Sequence, residues 1–206
     1  MVLDIGANIG AHTLPMAKLV GETGSVYAFE PTVFAIDKLK KNLVLNPQLS
    51  ERVTVHHVLL SDSAETTEEI GGIPSSWNLS AATETSHPQH GGSFMALGEA
   101  TTCTLDSIVE SIGIHKIDLI KLDVDGNEWS ILSGGTHTFD RHKPDVLMEF
   151  APDYNLKDFE QILGFFKARG YKAYSMGSGR ALPDDLQELR QHIPTDGSIN
   201  VKLTAQ

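Results

Sequence analysis

Val2-Leu3-Asp4-Ile5-Gly6-Ala7-Asn8-Ile9-Gly10 is the stretch that decides the fold: four residues of a strand, a turn punctuated by glycines, then helical spacing from Ala11 to Val20. Glycines at such a turn let backbone approach a ligand, and the helix that follows presents unpaired N–H groups at its start. Working outward, the next apolar run, Ser25 to Glu30, ends in an acid 20 positions after Gly10. A carboxylate there accepts hydrogen bonds from ribose hydroxyls in nucleotide-like sites. Ser61-Asp62 closes a third run, Val53 to Leu60, where an acid can reach an adenine amine.

Two details favour S-adenosylmethionine over a nicotinamide cofactor. The turn reads Gly-x-Asn-x-Gly and lacks the Gly-x-Gly-x-x-Gly pattern that brings backbone to a pyrophosphate. An acid, Asp4, also precedes the turn, which suits a sulfonium and an ammonium and would repel phosphate.

Further strands are predicted at Ile117–Asp123, Val146–Phe150, Tyr171–Tyr174 and Ile199–Leu203. Helices are predicted at Ala11–Val20, Val33–Leu45, Leu105–Ile112, Glu128–Ser133, Leu156–Arg169 and Pro183–Gln191. Alternating strands and helices predict a doubly wound α/β domain with a mostly parallel sheet. At 206 residues the chain fits one domain. Residues 63–102, rich in Ser, Thr, Gly and Pro, break the rhythm as a polar insertion, read as an acceptor-binding lid or as disorder.

A net charge of −11 disfavours nucleic acid, and Lys38, Lys40 and Lys41 read as one solvated helix face. There is no run long enough to span a bilayer and no signal-like start, so no membrane association is expected. The single Cys103 cannot form an internal disulfide, consistent with a cytoplasmic protein.

Several segments together resemble the FkbM-type methyltransferases, within the Rossmann-like S-adenosylmethionine-dependent class. They are Val2–Gly10, Ala28–Pro31 (Ala-Phe-Glu-Pro), Leu60–Asp62 (Leu-Ser-Asp), Thr104–Asp106 (Thr-Leu-Asp), Ile117–Glu128 and Leu132–Gly135 (Leu-Ser-Gly-Gly). The Lys-x-Asp-x-acid-Gly-x-Glu part of Ile117–Glu128 is the most specific. The resemblance implies a seven-stranded sheet with the last strand antiparallel, and methyl transfer to a hydroxyl of a sugar or polyketide-like natural product. It places Asp4, Gly6, Asn8 and Gly10 around the methionine part of the cofactor, Glu30 at the ribose and Asp62 at the adenine, with Ala7, Pro31 and Ser61 also expected in the cofactor site. Asp125 stands where the family usually has Glu. The resemblance also implies helices ahead of the first motif, which here starts at Val2, so the expected domain lacks them or is a compact variant.

Methyl transfer to a hydroxyl needs alignment and a base. Asp123, Asp125 and Glu128 at the end of the fourth strand, and Glu149 at the end of the fifth, border the expected crevice. Asp125 or Glu128 is expected to be the base or to orient the acceptor, with Asp123 lining the methionine end; Asp125-Gly126-Asn127 as plain turn chemistry is the alternative. No metal site is expected. His12 sits near the ligand by construction, and Trp77 and Trp129 offer apolar walls. A nicotinamide-dependent oxidoreductase and a non-catalytic S-adenosylmethionine-binding module are the competing readings. The acceptor and the oligomeric state are not legible.

Overall fold

The computed structural model describes residues 1–64, 72–75, 93–153 and 156–206. Its first half runs β1 (Val2–Ile5), α1 (Thr13–Leu19), β2 (Val26–Phe29), α2 (Val33–Val44), α3 (Pro47–Ser50), β3 (Val53–His56) and β4 (Val58–Leu60). Then come β5 (Gly72–Ser75), β6 (Ser93–Ala96), β7 (Thr101–Cys103), α4 (Leu105–Ser111) and β8 (Leu119–Leu122). The chain continues through α5 (Glu128–Ser133), α6 (Thr136–His142), β9 (Asp145–Phe150), α7 (Leu156–Ala168), β10 (Tyr171–Ser175), α8 (Leu186–Arg190) and β11 (Ile199–Ala205).

Seven strands form one sheet in the order β10-β11-β9-β8-β1-β2-β3. All run parallel except β11, which pairs antiparallel with both β9 and β10. The expected sheet is therefore present, with its last strand antiparallel. The order reverses direction at β1, between β2 and β8, where open α/β sheets bind ligands beyond their carboxyl ends.

Period-2 alternation assigns the two faces. Leu3, Ile5, Ile120, Leu122, Val146, Met148 and Phe150 point into the larger core. There they meet Leu105 and Val109 of α4, Ile131 of α5, Phe139 of α6, and Phe159, Ile162, Phe165 and Phe166 of α7. The other face packs Val2 and Val26 on Met16 and Ala17 of α1, and Ala28 on Leu39 and Leu43 of α2.

The predicted strand Val53–Leu60 is two strands. Glu30 N–H donates to the His56 carbonyl at 3.1 Å, but the next donor in that ladder, Thr32 N–H, turns back to Glu30 Oε1 at 2.9 Å. Instead, His57 Nε2 lies 3.0 Å from the Pro31 carbonyl. The chain bends there, and β4 pairs parallel with β7. The helix predicted from Pro183 starts at Leu186, because Asp185 caps it by accepting from Gln187 N and Glu188 N. Helices α3 and α6 were not predicted. For α6 the reason is that its capping group is remote: Asp106 of α4 accepts from His137 N at 3.0 Å and Thr138 N at 2.7 Å. Most of the 63–102 insertion, including Trp77, lies outside the described residues, although β5 and β6 pair antiparallel within it.

Phe139 is fully buried, edge-on to Phe165 at 5.2 Å and to Phe166 at 5.9 Å. Phe139→Ala should cost about 3–5 kcal/mol. Urea unfolding should show this as a lower midpoint with an unchanged slope.

Candidate functional site

The turn after β1 is built on positive φ angles: 76° at Gly6, 48° at Asn8 and 91° at Gly10. A Cβ at Gly6 would sit 1.9 Å from the Asp123 carbonyl oxygen, and one at Gly10 would sit 2.6 Å from Leu39 Cδ1. Gly6 N–H and Ala7 N–H both donate to the Phe29 carbonyl at 3.0 Å, which ties the turn to the end of β2. Glu30 is 5% exposed. Its Oε2 accepts from Asn8 N at 2.9 Å, and its Oε1 accepts from Thr32 N at 2.9 Å and Thr32 Oγ1 at 2.6 Å. Of about four acceptor positions on a carboxylate, three are filled, leaving one for an outside donor.

Asp4 is fully buried beneath this turn. Thr13 Oγ1 donates to its Oδ2 at 2.6 Å, and Lys121 Nζ lies 3.5 Å from its Oδ1. Asp4 and Lys121 are direct partners in the β1–β8 register. Lys121 Nζ also donates to the Gly6 carbonyl at 2.8 Å and lies 3.3 Å from Asp123 Oδ2. The sequence reading gave Lys121 no role, although a lysine inside the apolar run Leu119-Ile-Lys-Leu122 is itself a signal, since a buried ammonium needs partners.

Ser61 and Asp62 are held from α5. Asn127 Nδ2 donates to the Leu60 carbonyl at 3.1 Å, and Ser130 Oγ accepts from Asp62 N at 3.0 Å. Ser61 Oγ lies 3.2 Å from Ser130 Oγ and 3.2 Å from Asp62 Oδ1. Gly134 admits this contact, because a Cβ there would stand 2.3 Å from the Ser61 carbonyl oxygen. Asn127 and Ser130 were also missed, since polar residues in a first helical turn read equally well as solvated.

The four acids diverge. Asp125 is exposed, with φ 53°, on the turn itself. Glu128 Oε1 accepts from Val124 N and Gly126 N, each at 3.3 Å, so this carboxylate organises its own turn. Burial raises the Glu128 carboxyl above its usual value and the Asp123 charge adds to the rise, while the backbone N–H groups of Glu128, Gly126 and Val124 oppose it. Glu149 accepts a hydrogen bond from Ser198 Oγ. Asp123 and Glu149 line a cleft of about 480 Å³ on the α1 side of the sheet's carboxyl edge, a size in the range of small-molecule sites. His12, Lys121, Met176 and Asn200 also line this cleft. Trp129, edge-on to Phe165 at 6.3 Å, instead lines a cavity of about 40 Å³ with Asp125, Glu128 and Glu149. Among the described residues, no three His, Cys, Asp or Glu side chains converge as metal ligands would, and no helix is long and apolar enough to cross a membrane.

A family model for the methyltransferase FkbM domain matches residues 4–173. The hexuronic acid methyltransferase AglP of Haloferax volcanii is 27% identical over 162 residues, covering 78% of this chain and 59% of that protein. The structure of the methyltransferase FkbM from Methylobacillus flagellatus KT superposes with a TM-score of 0.59 at 17% identity, over 98% of this chain and 42% of that one. The chain thus spans about three-fifths or less of the length of these relatives.

Lys121→Met should cost about 3–5 kcal/mol by leaving Asp4 charged and buried, and adding Asp4→Asn should return part of that loss. A double-mutant cycle in urea measures the coupling. Glu128 yields a pH test. A carboxyl raised on folding contributes stability that is complete below its unfolded value, near 4.5, and lost as pH rises through the folded value. Glu128→Gln escapes that loss, so its melting temperature relative to the parent should climb as pH rises above about 4.5 and level off once the folded carboxyl is ionised.

Proposed function

Because the chain belongs to the FkbM methyltransferase family, we propose that it binds S-adenosylmethionine and methylates a hydroxyl of a sugar or natural-product-like small molecule. The observation that carries this reading is the buried Glu30 carboxylate, fixed by Asn8 and Thr32 beside a turn whose glycines admit no side chain. Glu30 takes a ribose hydroxyl in its remaining acceptor position, with Pro31 shaping the turn behind it. Ser61 and Asp62 meet the adenine, and Gly6, Ala7, Asn8 and Gly10 border the methionine part. Asp4 works from below, through Lys121 and Thr13.

The cofactor supplies an electrophilic methyl: a C–O bond to the acceptor forms as the C–S bond breaks, and the electron pair returns to sulfur. This chain's own residues orient the acceptor and take its proton. Glu149 is the base, since it opens on the cleft and Ser198 holds its Oε1. Asp123 lines the cleft beside the methionine end. Asp125 and Glu128 shape the turn between them. The name of the Haloferax relative supports a saccharide acceptor.

Calorimetry with S-adenosylmethionine, S-adenosylhomocysteine and NAD tests the cofactor. The first two should bind and weaken about tenfold or more in Glu30→Ala, the scale of a lost hydrogen bond to a charged group. NAD binding alone would instead establish an oxidoreductase. Glu149→Gln should lower kcat about 10²- to 10⁴-fold while S-adenosylhomocysteine affinity stays within about twofold. Unchanged turnover would remove Glu149 from the role, and cofactor binding without turnover by the parent on any acceptor would leave a binding module.

A further inference from the structure

The cleft beside Asp123 is acidic, and its one lining ammonium is already engaged. Lys121 Nζ is shared by the Asp4 carboxylate, the Asp123 carboxylate and the Gly6 carbonyl. Glu149 adds a third carboxylate, and its hydrogen-bond donor there, Ser198, is neutral. Two carboxylates, Asp123 and Glu149, line the cleft against one ammonium that the buried Asp4 also holds, which leaves the described wall negative. The remaining wall is apolar at Met16, Leu147, Met148, Met176 and Ile199, neutral at Ser175, Gly177 and Asn200, and carries one imidazole, His12.

The surroundings do not reverse this balance. Lys202 and Lys172, on neighbouring strands, pair with Asp145 at 2.7 Å and Asp184 at 3.4 Å. Arg180 is exposed and does not line the cleft. From Ser61 to His115 the sequence contains eight acidic residues and neither Lys nor Arg, so that stretch brings no permanent cation to an acceptor wherever it lies.

Resting on the methyl-transfer reading above, we propose that the acceptor is an uncharged polyhydroxyl molecule, a neutral sugar, and that the cleft rejects its carboxylated counterpart. A hexuronate entering beside Glu149 would face like charge, and the one permanent cation on the described wall, Lys121, is already held by Asp4 and Asp123; like-charge contact is an effective way to exclude a near-isostere. A neutral sugar presents hydroxyls that Asn200, Ser175 and Glu149 satisfy by hydrogen bonding, while its ring faces rest on the methionines and aliphatics. This departs from the acceptor in the name of the Haloferax relative.

The test is binding to the full chain saturated with S-adenosylhomocysteine, using the methyl glycosides of glucose, galactose and mannose and the three matching uronides. At least one neutral glycoside should bind about tenfold or more tightly than its uronide at low salt, with the ratio shrinking in about 0.5 M salt. Met176→Lys, which places a cation on an apolar part of the wall, should narrow the ratio several-fold by improving uronide binding. A uronide binding as well as its glycoside, no binding by any of the six, or a ratio indifferent to both salt and Met176→Lys would each overturn the proposal. Failure of S-adenosylhomocysteine itself to bind would instead defeat the methyl-transfer reading, and this inference with it.

Discussion

The ion pair between Asp4 and Lys121 sits where the sheet can least tolerate charge. β1 and β8 are central parallel strands, and their other buried side chains are aliphatic. An unpaired charge there would be strongly unfavourable, and even a paired one loses hydration. The pair is offset by its company: direct register across the two strands, the Thr13 hydroxyl on Asp4, and the Gly6 carbonyl and Asp123 on Lys121. A one-residue slip of either strand would move one charge to the opposite face and strand it in the aliphatic core. The same ammonium grips the first carbonyl beyond β1, so strand register and turn shape are set together. From that turn Asn8 N–H reaches Glu30, and the end of β2 is fixed in its place.

A second set of contacts joins the far side of the crevice. Thr104 caps α4 and Asp106 caps α6, so one short segment starts two helices. Gly135 lets that corner close on Leu105, and Gly134 lets it close on Ser61. Asn127 and Ser130 then hold Leu60 to Asp62 from the first turn of α5. Segments that mark the family in sequence are in large part scaffolding, positioning a few backbone groups that no motif letter represents.

The sheet was legible because short apolar runs alternating with helical segments, and glycine-punctuated turns, are local signals that agree with the global fold. The division of Val53–Leu60 was not, because it depends on Thr32 N–H turning back to Glu30 and on β7, remote in sequence, pairing with β4. α6 escaped for a related reason, its capping carboxylate lying about 30 residues away in α4. At the site, the acid ending β2 and the turn glycines were readable from spacing alone. Lys121 was not, since its role exists only once β8 lies beside β1. The acids of Asp123 to Glu128 looked alike in sequence and separate only in three dimensions, into cleft wall, exposed turn and turn organiser.

That separation bears on how a perturbed carboxyl is read. A raised Glu128 is the usual mark of a general base, because burial and a neighbouring charge are how such groups are tuned. Here the carboxylate is engaged with the N–H groups of Val124 and Gly126, in the turn that its own helix follows. Geometry precedes pKa in assigning a proton acceptor, and a carboxylate committed to its own backbone has little freedom to move toward a hydroxyl. Glu149 is the reverse case. It rises from β9, paired in register with Asn200 of β11, and opens on the larger cleft. A carboxylate mounted on a strand keeps its position while the loops around it change, which is what the role proposed for Glu149 as proton acceptor requires.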